Sequence, residues 1–103
     1  SDAIAQRTHR AAVETVSNDV SGRLGWVHTT TADFLLYLIE GDDVLYWLRP
    51  ADLRERLPEW QRRAERGAGN FRTFAAQNRG YRTLGILVPL AALEDVAYRM
   101  ESL

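Results

Sequence analysis

The stretch PADLRERLPEWQRRAER, Pro50 to Arg66, restricts the fold more than any other part of the chain. Pro50 suits a first helical position, where its missing N–H would have had no partner anyway. Leu53, Leu57, Trp60 and Ala64 then recur at i, i+4, i+7 and i+11, which puts them on one stripe of a helix. Pro58 lies inside the pattern and is expected to bend or split the helix there. GAGN ends it. A helix with a single apolar stripe has to lay that stripe on something, and the segments around it read as strands.

DVLYWLR, Asp43 to Arg49, is aromatic and branched on both faces, as in a central strand. Phe71–Gln77 and Arg82–Val88 read as two strands joined by NRGY, with Gly80 supplying the turn. Ala11–Ser17 reads as a strand through Val13 and Val16, NDVSGRLG as a loop, and Trp26–Val27 as a short strand. SDAIAQRTHR is polar and aperiodic, an exposed loop or arm. In TTTADFLLYLIEGDD, Thr30 or Thr31 suits an N-cap, Asp33 a first turn and Gly41 an end, so a short helix is expected; a strand stays open, because Phe34–Ile39 is apolar on all sides. Pro89 opens a last helix with Leu90, Leu93, Val96, Ala97 and Met100 on one face. The order β, (β), α, β, α, β, β, α makes the chain α/β of the mixed α+β kind, a central mixed sheet flanked by helices. Its 103 residues make one domain, or the C-terminal part of one.

Charge is unevenly placed. The net charge is -1, but residues 1–48 hold 3 arginines and 7 acids, residues 49–82 hold 9 arginines and 4 acids, and residues 83–103 hold 1 arginine and 3 acids. The basic middle third points to an anionic partner, against the plainer alternative of a solvated surface. Lysine is absent, which removes any catalytic amine or Schiff-base former. Cysteine is absent too, which fits a reducing compartment, and no apolar run is long enough to span a bilayer; a cytoplasmic protein without membrane contact is expected.

Motifs narrow the chemistry. His9 and His28 stand 19 positions apart, outside any ligand-pair spacing. GxSxG, a phosphate-binding glycine loop and a dinucleotide fingerprint are all missing, and a serine hydrolase is disfavoured. Arg72, Arg79 and Arg82 surround one tight turn, where guanidinium forks match phosphate oxygens. Tyr81 and Trp26 are candidates for stacking on bases.

Three segments, taken in order, resemble the C-terminal half of a phage-type, Holliday-junction-resolvase-like nuclease of the PD-(D/E)XK (restriction-endonuclease-like) superfamily. They are GWVHTTTADFLLY, VLYWLRPADLRERL and AQNRGYRTLGILVPLAAL, covering most of Gly25 to Leu93. The resemblance implies a partial restriction-endonuclease-like fold, DNA as partner and Mg²⁺ as cofactor. In that family an Asp and a Glu on adjacent strands hold the ion, and a Lys two positions past the Glu assists the attacking water. The chain departs from the family in having no lysine, and it has His9–Arg10 where the family often has Gly-Asn. SDAIAQRTHRAAVETVS looks like the segment after the catalytic strand, with Glu14 as its strand acid and Asp2 as a further neighbour of the metal. The catalytic strands are then expected outside these residues, in a preceding segment or a second chain, and the 103 residues alone are expected to be inactive.

The leading expectation is a nucleic-acid-associated domain with Arg72, Arg79 and Arg82 on phosphates. The alternative is a catalytically inactive protein-interaction module docking through Trp47, Trp60 and the arginine-rich helix. An autonomous enzyme would need Asp2, Glu14 and Asp33 to converge with His28.

Overall fold

The structure is a computed structural model that describes residues 10–39, 41 and 43–103. In chain order these form β1 (Arg10–Asn18), β2 (Arg23–Leu24), α1 (Trp26–Thr29), β3 (Leu35–Ile39), β4 (Val44–Leu48), α2 (Pro50–Arg66), β5 (Arg72–Gln77), β6 (Arg82–Pro89), α3 (Leu90–Val96) and β7 (Arg99–Ser102). The chain is mixed α+β, as its sequence implies. Its strands make two antiparallel sheets where one mixed sheet was expected, in the orders β2-β1-β6-β5 and β3-β4-β7. The expected N-terminal arm and Asp2 fall outside the described residues.

α2 carries the core. Leu53, Leu57, Trp60 and Ala64 are all buried, so the stripe faces inward as its spacing requires. The helix runs through Pro58 as one element, and Pro58 itself is exposed. It ends at Gly67, whose left-handed φ of 63° lets Ala68 N–H reach the Arg63 carbonyl at 2.9 Å. Against it lie Ala11 and Val13 of β1, Ile86 and Val88 of β6, and Phe71, with Ile39, Tyr46 and Leu48 from the second sheet joining the same cluster. Leu90, Leu93 and Val96 of α3 complete it.

Three expected elements change type. Trp26–Val27 belongs to the one-turn helix α1 and not to a strand. Leu35–Ile39 is a strand and not the expected helix: paired residue by residue with Val44–Leu48, it sends Ile39 inward and leaves Leu36 57% exposed. Met100 leaves the last helix for β7, because α3 stops at Val96 and Arg99–Glu101 pair with Leu45–Trp47.

Two glycines set close approaches. A Cβ on Gly25 would stand 2.4 Å from the Glu14 carbonyl oxygen, so only glycine lets the start of α1 lie against β1. A Cβ on Gly85 would stand 2.3 Å from the Val13 carbonyl oxygen and 2.5 Å from the Phe74 ring, which folds over the glycine from β5.

Candidate nucleic-acid interface

Pairing of β1 with β6 brings two turns side by side, one after β1 and one before β6. Asn18 closes the first, its side-chain oxygen accepting the N–H groups of Val20 and Ser21 at 3.0 Å each. The second, Asn78 to Tyr81, closes through Asn78 N–H donating to the Tyr81 carbonyl at 2.8 Å, with Gly80 at φ 82°. Asn78 also donates to Thr83 Oγ1 at 2.8 Å, and that hydroxyl donates to the Ser17 carbonyl at 3.0 Å, so the hairpin is tied back onto β1.

Asp19 locks the two turns together. Its carboxylate accepts Arg82 N–H at 2.8 Å on one oxygen and Arg82 Nε at 2.9 Å on the other. Its own N–H donates to the Arg82 carbonyl at 3.1 Å. These bonds, the one from the Arg82 backbone first and the one from its side chain second, hold the carboxyl below its ordinary value of 3.8. Arg82 keeps a 54% exposed side chain while Asp19 keeps 20%, so the guanidinium covers the carboxylate and still meets solvent.

The expected phosphate-binding residues separate in this geometry. Arg79 is exposed at the hairpin tip and has no carboxylate partner among the described residues. Arg82 is exposed but half neutralised by Asp19. Arg72 is turned away from the hairpin tip: its Nη1 donates to the carbonyls of Gly67, Gly69 and Phe71 at 2.8, 3.1 and 2.6 Å, holding the connection from α2 to β5. A cation there also opposes the negative end of the helix. Tyr81 is half-buried beside the turn, and Trp26 packs against the core. Trp60, expected as an interface anchor, is 3% exposed beneath α2, so it is a core residue and not a docking group.

Arg23 is the residue that sequence reasoning missed. It is exposed at the start of β2, in register with Asn18, and so stands by the same pair of turns. Among the described residues Arg56, Arg63, Arg82 and Arg99 each have a carboxylate within 3.0 Å. Among the same residues Arg23, Arg49, Arg62, Arg66, Arg72 and Arg79 are exposed and have none.

Among the described residues the acids do not make up a magnesium site. Glu14 is half-buried on β1, opposite Gly85, and no three His, Cys, Asp or Glu among the described residues are placed to hold a metal ion. No described helix is long and apolar enough to cross a membrane.

A second surface lies on the other sheet. Phe34 meets Trp47 edge-on at 5.8 Å and Tyr98 at 5.2 Å between ring centroids. Arg49 sits 4.0 Å over the Tyr98 ring and Arg99 5.6 Å over Trp47. Compared with family models, with curated proteins and with solved structures, the chain finds no match.

Proposed function

We propose that this chain is a nucleic-acid-binding domain, the C-terminal portion of a metal-dependent DNA endonuclease fold of the PD-(D/E)XK kind, acting in the cytoplasm. The observation that carries the reading is the pair of joined turns with Arg79 on one and Arg23 beside the other, neither with a carboxylate partner among the described residues, and Arg82 at their junction on Asp19. Exposed cations without partners add little to a fold. On a polyanion each displaces a condensed counterion and gains affinity. The Asp19 lock fixes the spacing of the two turns, which lowers the ordering cost of binding. Phosphate contact is therefore assigned to Arg23, Arg79 and Arg82, with Tyr81 flanking them. Cleavage, on this reading, takes its Mg²⁺ ligands from groups other than the described residues, with Glu14 as a lone acid near them.

The test is fluorescence anisotropy with labelled duplex, branched and single-stranded DNA at low and moderate salt. Binding that weakens with salt, and weakens further in Arg23→Ala/Arg79→Ala, supports the reading. Equal binding by the double variant at every salt concentration refutes it.

One observation favours a protein-docking alternative. Phe34, Trp47 and Tyr98 with Arg49 and Arg99 form an aromatic and guanidinium patch next to exposed Leu36, the residue types that anchor protein interfaces. Tyr98→Ala would then abolish capture of the partner and leave DNA binding untouched.

A further inference from the structure

Three open cavities lined by the described residues differ in charge. The largest of these three, about 600 Å³, is walled by Arg56, Glu59, Arg63 and Asp95, whose arginines are spent on its own acids: Arg56 on Asp95 and Arg63 on Glu59, each at 3.0 Å. A second, about 470 Å³, is uncharged and lies between Thr15, Gln61, Phe74 and Gly85. The third, about 280 Å³, is lined by Thr15, His28, Arg54, Leu57, Pro58 and Gln61, with no carboxylate among them. It shares Thr15 and Gln61 with the second.

Arg54 is the unusual member. Its guanidinium is half-buried between α1 and α2 without an acidic partner among the described residues. Its Nε is buried and has no hydrogen-bond partner among the described residues. Its Nη2 reaches the Thr30 carbonyl at 3.4 Å, the outer limit of such a contact. A guanidinium offers five donors and cannot shed its charge, so a desolvated one without a counter-charge is costly. His28 stands on the same wall, exposed, in the last turn of α1. Gln61 spends its amide nitrogen on Glu65 at 3.1 Å. The notch thus presents the Arg54 guanidinium from α2 beside the His28 imidazole from α1, with no carboxylate in its lining.

We infer that this notch is a phosphate site: Arg54 with His28 takes a tetrahedral phosphate oxyanion, and the adjoining uncharged cavity beside Phe74 takes the body attached to it. This goes beyond the hairpin-tip reading and uses none of its arginines. The phosphate is either an internal phosphodiester or a terminal phosphate monoester.

The experiment titrates the full chain with inorganic phosphate at constant ionic strength, following the Thr15 amide, the Arg54 Nε–H and the His28 ring by NMR, with chloride as the control anion. Saturable shifts confined to these groups are expected, and Arg54→Gln raises the half-saturation concentration by about tenfold or more. Arg54→Lys, which keeps the charge but loses the fork, falls between the two. The Arg23 and Arg79 amides are followed in the same titration, and shifts confined to the notch separate this site from the hairpin tips. Short oligonucleotides with and without a 5′-phosphate then identify the source: preference for the phosphorylated end assigns a monoester, and equal saturable binding assigns a phosphodiester. Shifts that follow ionic strength alike in phosphate and chloride overturn the proposal, as does unaltered phosphate binding by Arg54→Gln.

Discussion

Neutralising Asp19 should tighten nucleic-acid binding, and the size of the effect follows from the ion pair. In the wild type Arg82 and Asp19 form an electrically neutral unit, with Nε and the backbone N–H both held on the carboxylate. Arg23 and Arg79 are exposed and have no carboxylate partner among the described residues. Each full phosphate contact on duplex DNA contributes about 0.9 to the slope of log K against log salt, so Arg23→Ala/Arg79→Ala lowers the slope by about 1.8. Between about 50 mM and about 200 mM salt one such contact is a factor of about 3.5, and two are about 12. Asn at position 19 retains an oxygen for the Arg82 N–H, so the turns stay joined while Arg82 is released. Asp19→Asn therefore steepens the slope by up to about 0.9, and Arg82→Ala changes it by less than the loss of Arg79 does. Anisotropy titrations at four salt concentrations measure all of these. Weaker binding by Asp19→Asn with the fold intact, or an unchanged slope in the double arginine variant, would refute the assignment of these turns to a polyanion.

Gly85→Ala should destabilise the fold by about 2–3 kcal/mol, because the new Cβ meets the Val13 carbonyl and the Phe74 ring, neither of which can yield cheaply. Gly22→Ala, with open space around it but a φ of 75°, should cost only about 1–2 kcal/mol; urea unfolding of the two variants compares clash with backbone strain. Leu53→Ala empties a fully buried site under α2 and should cost about 2–5 kcal/mol by the same assay. The Asp19–Arg82 contact should persist from neutral pH down to the ordinary carboxyl value of 3.8. Its carboxyl is lowered in the folded state, so the contact's contribution is present above the ordinary value of 3.8 and is lost as pH falls through the lower folded value. The Arg82 amide shift, followed from pH 6 downward, should have its midpoint below 3.8, and a midpoint at or above that value would contradict the bonding seen.

What was legible in the sequence was whatever a local period decides. The α2 stripe, the Gly80 turn and the β4 segment needed no distant partner to be read, and each falls within a residue or so of its expected place. Leu35–Ile39 was not legible in that way, because a run that is apolar at every position has neither a period of 2 nor of 3.6. Its conformation is decided by Val44–Leu48 across the ladder, which turns Leu35, Tyr37 and Ile39 toward the core. The division into two sheets is similarly remote from local pattern, since β1 finds β6 some seventy positions along the chain.

The candidate site repeats the lesson at the level of charge. Arg72, Arg79 and Arg82 are equivalent as letters around a turn, and only the fold gives them different fates: one on helix-end carbonyls, one exposed at the tip with no carboxylate among the described residues, one shared with Asp19. Counting arginines in a segment therefore overstates the field that the segment offers, because pairing is settled by partners that lie up to 63 positions away. Arg23 and Arg54 show the converse. Neither belongs to a motif, yet one is placed beside the joined turns by a two-residue strand and the other is trapped in a wall without an acid. In a chain of net charge -1 the capacity to hold an anion lies in the cations that the fold leaves without a carboxylate, and among the described residues these include Arg23 and Arg79 by the joined turns, Arg62 and Arg66 on α2, Arg49 over its aromatic rings and Arg54 in the notch.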